Sequence, residues 1–475
     1  MKLDPKICYR AVKSRDSRFD GRFFTGVKTT GIYCRPVCPA VTPRRKNVEF
    51  YPCAAAAEKA GFRPCKRCRP ETSPGTPAWL GTSATVSRAL RYIGEGWLDH
   101  GSVEELAAKL GMGGRHLTRL FEDHLGTTPV AVAQTRRVHF ARNLITGTDL
   151  SMARIALAAG FGSVKRFNVL VKQVFGATPT QLRQRAKTVT SPGNTLVYRL
   201  AYRPPYDWDA LITFLGGRAI PGVEEVASGS YRRTLAVNGA AGILEVAPVA
   251  DRNFLLMKVS LPDLNGAIGL VSRVRRMFDC GADPDIIGGH LAADPLLAPL
   301  VKRLPGLRLP SAWDPFEMAV RAILGQQISV AGATTIAGRL VERLGTPLDE
   351  PQAGLTHLFP SAKKVATANL DNLGLTAKRA ETVKNFAAAV AGGHLVLDAP
   401  LGVEDFVARM VELPGIGLWT AYYVAMRALG EPDGFPASDL GLKHALPGVD
   451  LAARAEVWRP WRSYAALHLW AGLND

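Results

Sequence analysis

The order of apolar and polar residues along the chain predicts regions of different structure. Residues 83–186 contain short helical patterns separated by glycine-containing turns. From residue 195 to about 300, alternating stretches such as 242–246 and 254–259 mix with helical patterns, which predicts an α+β region. After Trp313 the pattern becomes almost entirely helical. The chain therefore combines more than one kind of fold.

Segments rich in Pro, Gly, Ser and Thr at 70–77 and 188–194 predict linkers, because these residues favour turns. The 475 residues, 47% of them apolar, are enough to bury several cores. No apolar run approaches the roughly 20 residues that a membrane helix requires. The charged start of the chain is not followed by a hydrophobic stretch, so we expect no secretory signal.

A repeated turn divides the region between the two linkers. The sequence GTTP at 126–129 returns as GATP at 176–179, which suggests two similar helical units. Each unit is predicted to be a helix-turn-helix whose first helix begins at a capping serine, Ser102 or Ser151. The second helices carry side chains suited to the major groove, which are Arg115, His116, Thr118 and Arg119 in one unit and Lys165, Arg166 and Asn168 in the other.

The net charge of +18 is concentrated in the first two fifths of the chain. Residues 1–70 contain 17 Lys and Arg against 5 Asp and Glu, which gives +12, and residues 71–190 contain 15 against 8, which gives +7. Residues 191–475 are close to neutral, at −1. So large a basic region favours a polyanionic partner, and nucleic acid is the partner that we expect.

Four of the seven cysteines form two close pairs, Cys34-x3-Cys38 and Cys65-x2-Cys68. Two such pairs separated by a short insert are typical of a tetrahedral zinc site. Basic residues flank both pairs, although an inert structural site does not need them. On spacing alone, a closed structural site without reactivity is still the simpler interpretation. The remaining cysteines are isolated thiols, which fits a reducing, cytoplasmic environment, and they are Cys8, Cys53 and Cys280.

The segments TTGIYCRPVC, RRKNVEFYP and AAGFRPCKRC make residues 8 to about 70 similar to the methylphosphotriester-repair domain of Ada-type proteins. The resemblance implies that Cys34 accepts a methyl group from DNA and that Thr30 and Arg63 contact DNA. Pro39 and Val41 stand where basic residues would be expected. The zinc ligands implied by the resemblance are Cys34, Cys38, Cys65 and Cys68.

Residues 83–186, with the segment AAGFGSVKRFNVLVKQVFGATPTQLR, are similar to the tandem helix-turn-helix domain of AraC-type transcription regulators. The resemblance implies binding to double-stranded promoter DNA, with RNA polymerase as a further expected partner. Methylation of Cys34 would lower the negative charge of a four-thiolate zinc site and so reduce its repulsion from DNA phosphates. Repair and the switching on of transcription are then expected to be one event.

In the second half of the chain, the turn 413–417 (LPGIG) lies between two helical patterns. A Gly-x-Gly hairpin between helices exposes backbone N–H groups that can hold a DNA phosphate, although such a turn alone is a weak signal. Asp439 follows 24 residues after Gly415. Together with FEMAVRAILGQQIS and WRPWRSYAALHLW, these features make residues 195–473 resemble the AlkA-type 3-methyladenine DNA glycosylases of the helix-hairpin-helix superfamily.

The resemblance implies that Asp439 is the catalytic aspartate, although this residue also suits the N-cap of a helix beginning near Leu440. A cationic alkylpurine departs as a neutral base, so the reaction needs a carboxylate beside the developing oxocarbenium sugar more than it needs a strong acid. A cationic base flipped out of the duplex is attracted to aromatic faces. The expected base pocket consists of Trp419, Tyr423 and Trp470.

The resemblance further implies phosphate contacts at Gly415 and Gly417, a monovalent cation at the hairpin, and a wedge at Gln327 that fills the gap left by the flipped nucleotide. Bifunctional relatives carry a lysine where this chain has Trp419, so strand cleavage is not expected. No cysteine follows Cys280, which excludes the iron–sulfur cluster of the endonuclease branch. No Pro-Cys-His-Arg element of the O6-methylguanine methyltransferase domain is found.

We therefore predict a multi-domain α+β protein with four parts. These are a small four-cysteine zinc domain (1–72), an all-α tandem helix-turn-helix domain (83–187), an α+β domain (194–308) and an all-α helix-hairpin-helix glycosylase domain (309–475). We expect a cytoplasmic monomer that excises alkylated purines, leaves an abasic site, and senses the same class of damage. Two alternatives are a methyl-sensing regulator with an inactive glycosylase half and a glycosylase with a purely structural zinc domain.

Overall fold

The computed structural model describes residues 3–74, 84–186, 195–262, 267–352, 354–398 and 402–474. It forms two compact units, the first with residues 1–204, 249–275 and 280–283 and the second with residues 205–248, 276–279 and 284–475. Residues 194–308, the predicted α+β domain, contribute to both units. Within the described residues, no helix is long and apolar enough to cross a bilayer.

With elements numbered along the whole chain, the first unit contains α1 (Pro5–Ser14), β1 (Phe24–Val27), β2 (Ile32–Cys34), β3 (Val48–Tyr51), α2 (Ala54–Lys59), β4 (Arg63–Pro64), α3 (Ala84–Gly94), α4 (Trp97–His100), α5 (Val103–Lys109), α6 (Gly114–Leu125), α7 (Pro129–Gly147), α8 (Met152–Ala158), α9 (Val164–Phe175), α10 (Pro179–Gln184), β5 (Thr195–Ala201), β9 (Phe254–Ser260) and, up to residue 275, α12 (Ala267–Met277).

The N-terminal part of the first unit is a four-stranded sheet in the order β3-β1-β2-β4. Strand β1 pairs antiparallel with β2 and β3, whereas β2 and β4 run parallel. The parallel register places Tyr33 opposite Pro64, so the next residues, Cys34 and Cys65, leave the sheet side by side. This register brings the two cysteine pairs together.

The two predicted helix-turn-helix units are the pairs α5–α6 and α8–α9. Ser102 and Glu105 form the predicted capping box, with each side chain bonded to the other residue's backbone N–H. Ser151 caps α8 through the N–H of Arg154. The second helices bury apolar residues at helical spacing, namely Leu117, Phe121 and Leu125 in α6 and Phe167, Val171 and Phe175 in α9.

The repeated G-x-T-P turn ends one helix and begins the next in both units. Gly126 and Gly176 adopt the left-handed conformation, with φ of 68° and 64°, which glycine takes without steric cost. Thr128 and Thr178 then cap the following helices, α7 and α10. The repeat seen in the sequence is therefore a repeat of helix-terminating and helix-starting signals.

The predicted linker at 70–77 begins with packed structure. Residues Pro70–Thr72 form a 3-10 helix, and the carboxylate of Glu71 pairs with Arg69 at 3.0 Å and with Arg142 at 3.3 Å. Beyond residue 74 this linker lies outside the described residues, as does the whole linker at 188–194. After it, β5 pairs antiparallel with β9 along its whole length.

The second unit contains α11 (Trp208–Gly216), β6 (Glu224–Ala227), β7 (Ser230–Val237), β8 (Ala240–Pro248), α13 (Pro284–Leu291), α14 (Ala298–Arg303), α15 (Pro315–Leu324), α16 (Val330–Leu344), β10 (Thr346–Gln352), β11 (Leu355–Leu358), α17 (Ala362–Thr367), α18 (Ala377–Ala391), α19 (Val403–Val411), α20 (Leu418–Ala428), α21 (Leu440–Ala445), α22 (Leu451–Ala455) and α23 (Arg462–Ala471).

Strands β6, β7 and β8 pair antiparallel in sequence order, as the alternating pattern predicts. The hairpin of β10 and β11 is an exception to the helical pattern expected after Trp313. Strand β10 reads TPLDEPQ and is almost entirely exposed, so neither its apolar spacing nor its two prolines predict a strand.

Helix α15 lies at the centre of the helical core in the second unit. Its residues Ala319, Val320 and Ile323 are fully buried, and Phe316 stacks on Phe386 of α18 with ring centroids 5.8 Å apart. Helices α18, α19 and α20 contribute to the same core. This packing fixes α20 and the hairpin before it, which carry most of the predicted glycosylase residues.

Candidate functional site

The four predicted zinc ligands come together in the first unit. The sulfur atoms of Cys34, Cys38, Cys65 and Cys68 all lie within 4.8 Å of one another, and those of Cys38 and Cys65 are 4.0 Å apart. Tetrahedral zinc with Zn–S bonds of about 2.3 Å separates its sulfur ligands by about 3.8 Å. The four side chains therefore fit a closed four-cysteine zinc centre.

Arg35 holds the loops of the cluster together. Its backbone N–H donates to the sulfur of Cys68 at 3.3 Å, and its guanidinium donates to the Cys68 carbonyl at 3.2 Å and to the Thr72 hydroxyl at 2.8 Å. The same guanidinium forms an ion pair with the buried carboxylate of Asp20. The charge of Arg35 is thus used inside the protein, and it orients a ligand loop rather than facing DNA.

The four sulfur atoms are not equivalent. Cys65 and Cys68 are buried, whereas Cys34 and Cys38 are partly exposed. Hydrogen bonding with its neighbours Cys38 and Cys65 raises the pKa of Cys34. Hydrogen bonding with Cys34 lowers the pKa of Cys38 to about 7, and the backbone N–H of Ala40 acts in the same direction. Exposure thus singles out Cys34 and Cys38 as the two ligand sulfur atoms that a substrate can reach.

A cavity of about 370 Å³ opens beside Cys34. Its lining includes both predicted DNA contacts, Thr30 and Arg63, and two more exposed basic residues, Lys66 and Arg67. Val41 also lines the cavity and is 92% exposed, so the position that lacks an expected basic residue faces solvent. A phosphate ester entering this cavity meets positive charge and the Cys34 sulfur together.

The predicted DNA-reading side chains of the helix-turn-helix units lie on open surfaces. Arg115, His116 and Arg119 are exposed on α6, and Thr118 is half-buried. Lys165, Arg166 and Asn168 are exposed on α9. Exposed polar and basic residues near the start of the second helix are the side chains that such domains place in the major groove.

In the second unit, Asp439 is held by three N–H donors. Its Oδ2 accepts from the indole Nε1 of Trp419 at 2.7 Å, and its Oδ1 accepts from Nε1 of Trp470 at 2.8 Å. Oδ1 also accepts from the backbone N–H of Leu442 at 3.0 Å, which makes Asp439 the N-cap of α21. The N-cap interpretation of Asp439 is therefore confirmed, and the capping carboxylate is also bound by two of the predicted pocket residues.

The three predicted pocket residues form one aromatic cluster. The rings of Trp419 and Tyr423 stack with centroids 5.2 Å apart, and Trp470 meets Tyr423 edge-on at 6.3 Å. Trp419 and Tyr423 are four residues apart on α20, so they lie on one face of the helix. The cluster places flat π surfaces beside the Asp439 carboxylate.

Arg427 belongs to the same helix face and was missed by the sequence analysis. Its Nη1 donates to the hydroxyl of Tyr423 at 3.1 Å and its Nε to the carbonyl of Pro310 at 2.5 Å. Burial lowers the pKa of Arg427 to about 10, so it remains charged at neutral pH. Burial opposes ionisation of Tyr423, but the combined charges of Arg427, Arg218 and Arg321 outweigh burial and lower the pKa of that hydroxyl. Trp419, Tyr423 and Arg427 are each four positions apart, and this spacing in the sequence could have placed Arg427 on the same helix face.

The hairpin between α19 and α20 contains both glycines that were predicted to contact a phosphate. Gly415 has φ of +84°, and a Cβ there would lie 2.2 Å from Oγ1 of Thr382. Gly417 is exposed and is the N-cap residue before α20, without a side-chain cap. The space around its Cα is open. Local geometry therefore requires glycine at 415, whereas a side chain would fit at 417.

The turn 325–329 lies against this hairpin. The side-chain amide of Gln326 donates to the Gly415 carbonyl at 3.1 Å and to the Thr420 hydroxyl at 3.0 Å. Gln327, the predicted wedge, is exposed and has φ of +58°, which is unusual for a residue other than glycine. Gln326 thus anchors the turn, and Gln327 extends from it.

Comparison with known protein families gives matches along most of the chain. Residues 7–71 match the metal binding domain of Ada, 106–185 a helix-turn-helix domain, 197–314 the AlkA N-terminal domain, and 320–456 the HhH-GPD superfamily of base excision DNA repair proteins. The matches follow the order in which the sequence predicts these parts.

Comparison with individual proteins covers the full length. Over 99% of this chain, the sequence is 43% identical to a probable bifunctional transcriptional activator/DNA repair enzyme AlkA of Mycobacterium tuberculosis, 97% of which is covered. Over 58% of this chain, it is 37% identical to DNA-3-methyladenine glycosylase 2 of Escherichia coli, 96% of which is covered. The structure of a 3-methyladenine DNA glycosylase from Archaeoglobus fulgidus shares the fold over 57% of this chain and 97% of that chain, with a TM-score of 0.50 and 24% identity.

Proposed function

The chain belongs to the family of bifunctional transcriptional activators and DNA repair enzymes, and we propose on that premise which residues perform each of its reactions. It is a DNA glycosylase for alkylated purines that is fused to a zinc-containing methyl acceptor and a DNA-binding regulator. The observation that carries the glycosylase assignment is the carboxylate of Asp439, bound by the indoles of Trp419 and Trp470.

We assign base excision to Asp439. A 3-methyladenine or 7-methylguanine base is cationic, so breaking its N-glycosidic bond returns the electron pair to the ring and releases a neutral base. Positive charge then develops on the sugar, and the Asp439 carboxylate stabilises it. A water molecule oriented by the same carboxylate adds to the sugar carbon and gives up its proton, which leaves an abasic site.

We assign the flipped base to the aromatic cluster of Trp419, Tyr423 and Trp470, because a cationic purine gains from contact with their π faces. Gln327 would occupy the space that the nucleotide leaves in the duplex. The backbone at Gly415 and Gly417 would hold a phosphate of the damaged strand, with a monovalent cation on the hairpin carbonyls. We place this glycosylase domain at 309–475 and its α+β partner at 194–308.

The glycosylase assignment is tested by release of free 3-methyladenine and 7-methylguanine from dimethyl-sulfate-treated duplex DNA. Asp439→Asn should abolish release while DNA binding persists. Asp450→Asn is the matched control, because Asp450 caps the neighbouring helix α22 through N–H bonds of 3.1 and 3.2 Å without contacting the aromatic cluster. Equal loss of release in both variants, or full release by Asp439→Asn, would overturn the assignment.

We assign methyl transfer to Cys34, with Cys38, Cys65 and Cys68 as the other zinc ligands and 1–72 as the domain. Bound zinc keeps its sulfur ligands deprotonated at neutral pH. The sulfur of Cys34 attacks the methyl carbon of a methylphosphotriester, so an S–C bond forms as the C–O bond breaks. The electron pair stays on the phosphate oxygen, which restores the anionic diester. Thr30 and Arg63 would hold that phosphate in the cavity.

This second assignment is tested by peptide mass spectrometry after exposure to methylated DNA. Methyl should be found on Cys34 and not on Cys38, the other partly exposed ligand. An unmodified Cys34 under saturating damage would leave the zinc domain with a structural role only.

Regulation would follow from the same event. Loss of one negative charge at the zinc centre favours DNA binding, and the helix-turn-helix units at 83–187 would then recruit RNA polymerase to a promoter. We propose that the protein acts as a monomer. A change in promoter affinity on methylation, measured at two salt concentrations, and sedimentation of the purified chain test these points.

A further inference from the structure

The residue beside Cys34 is joined to the helix-turn-helix units by a buried polar cluster. The hydroxyl of Tyr33 donates to Oε1 of Glu58 at 2.9 Å, and Nε2 of His139 lies 3.0 Å from the same oxygen. The hydroxyl of Thr135 donates to Oε2 of Glu58 at 2.7 Å. We call these four residues the Glu58 cluster. Tyr33 lies on β2, Glu58 on α2, and Thr135 and His139 on α7.

The cluster is fully bonded and largely removed from solvent. Tyr33 is fully buried, and the side chains of His139 and Glu58 are 12% and 15% exposed. Burial opposes both charges, but the mutual contact lowers the pKa of Glu58 and raises that of His139, which favours the ionic form of the pair. Ionic groups in a low-dielectric setting tolerate little displacement, because a broken bond leaves a buried charge without compensation.

A second bridge starts at another zinc ligand and ends on the same helix. Arg69 follows Cys68, and its Nη2 donates to Asn143 at 3.2 Å and to Thr146 at 3.3 Å on α7. Chain neighbours of two zinc ligands, Tyr33 and Arg69, are therefore bonded to α7 at positions about two turns apart. A movement of the chain at Cys34 or at Cys68 would therefore act on the same helix, α7.

Helix α7 packs against α6 and α9, the two helices that carry the predicted DNA-reading side chains and are called the reading helices below. The C-terminal ends of α6 and α9 also contact the zinc domain. The thiol of Cys53 lies 3.5 Å from the carbonyl of Leu125, the last residue of α6. A Cβ at Gly176, just after α9, would lie 3.1 Å from the guanidinium of Arg63, and Phe175 lines the cavity beside Cys34. The reading helices and the methyl acceptor thus belong to one packed body.

We propose that Glu58 is a positioning residue that couples the state of Cys34 to the orientation of the two helix-turn-helix units. The inference rests on the proposed role of Cys34 as the alkylated sulfur. A methyl group on Cys34 must be accommodated at the end of β2, where Tyr33 transmits the shift to Glu58 and from there to α7. Sequence-specific DNA binding then changes through geometry, in addition to the change in charge. Couplings of this kind typically change affinity by roughly 5- to 150-fold.

The test measures the methylation gain, defined as the Kd of the unmethylated protein divided by that of the protein methylated on Cys34. The full-length chain is methylated with methyl iodide and checked by mass spectrometry, so the test does not depend on transfer from DNA. The probe is a duplex selected from a random pool by the methylated wild type. Zinc content is measured for every variant.

Glu58→Gln and Thr135→Val each remove part of the cluster, and Thr135→Val removes a hydrogen bond to the carboxylate without removing a charge. The matched control is Glu122→Gln, which removes the exposed ion pair of Lys59 and Glu122 that joins the same two domains at 3.5 Å. The gain should fall at least fivefold in both cluster variants, should fall no further in the double variant, and should persist in the control.

A charge effect alone predicts a different pattern. The gain would be the same in all variants and would decrease steeply as salt rises. That result, or a wild type without any gain, would overturn the proposed coupling. Failure of methyl transfer from DNA, with the gain intact after methyl iodide treatment, would instead overturn the phosphotriester assignment and leave the coupling standing.

Discussion

Replacing Trp419 by Phe tests how the carboxylate of Asp439 is held. The substitution removes one N–H donor, at 2.7 Å from Oδ2, and keeps an aromatic ring over Tyr423. A hydrogen bond to a charged group contributes about 1.5–3 kcal/mol. If that contribution is needed in the transition state, the rate of base release should fall about 10- to 150-fold, since about 1.4 kcal/mol corresponds to a tenfold change.

The two indoles should not be equivalent. Oδ1 keeps the backbone N–H of Leu442 when Trp470 is changed to Phe, whereas Oδ2 has Trp419 as its described donor. We therefore expect a smaller loss of rate from Trp470→Phe than from Trp419→Phe.

The assay is single-turnover release of 7-methylguanine at saturating enzyme, so that DNA binding does not limit the rate. The matched control is Trp458→Phe. The indole of Trp458 also donates to a carboxylate, that of Asp294, at a distance of 2.6 Å, but this pair is not part of the aromatic cluster. The Trp458→Phe substitution should lower the stability of the protein and leave the rate of 7-methylguanine release unchanged. A Trp419→Phe rate within twofold of wild type, or a larger loss in Trp470→Phe, would show that the Trp419 hydrogen bond does not support the Asp439 carboxylate in the transition state.

Three further predictions concern other parts of the protein. Arg35→Lys cannot keep all the contacts to Asp20, Thr72 and the Cys68 carbonyl, so zinc affinity measured by chelator competition should fall about 10- to 100-fold, and unchanged affinity would contradict the role given to Arg35. Gly415→Ala places a methyl group against Thr382 at a positive φ, so duplex affinity should fall about tenfold with little effect on methyl transfer to Cys34, whereas Gly417→Ala, which faces open space, should be milder. Burial raises the pKa of Asp279 from 3.8 to about 6, so the stability linked to its protonated form is present below pH 3.8 and is lost as pH rises through 6. In urea titrations, the free energy of unfolding of Asp279→Asn should therefore gain about 2 kcal/mol relative to that of wild type between pH 4 and 7, and parallel curves would contradict this.

Features set by neighbouring residues were predictable from the sequence. The cysteine spacing, the capping box at Ser102 and the two G-x-T-P turns depend on residues within a few positions of one another, and the structure has all of them. Helix start signals were also accurate, because Ser102 and Ser151 cap the helices that follow them. Local rules of this kind leave a direct trace in the sequence.

Features that depend on distant residues were not predictable. Glu58 meets Thr135 and His139 across 77 and 81 residues, and nothing near Glu58 indicates a buried partner. The division of the α+β region between two units likewise depends on tertiary packing. Strand β10 lacks any apolar alternation, because its side chains remain in solvent. Such contacts have no local pattern to reveal them.

One chain is proposed to carry out two separate reactions on alkylated DNA, excision of purines at Asp439 and methyl transfer to Cys34. The most direct measurement exposes wild type, Cys34→Ser and Asp439→Asn to one methylated duplex and follows released purines and protein methylation in the same samples. Wild type should give both products, Cys34→Ser should give purines without methylation of the zinc domain, and Asp439→Asn should give methyl on Cys34 without purines. Release by Asp439→Asn at the wild-type rate, or a wild type with only one product, would contradict the account.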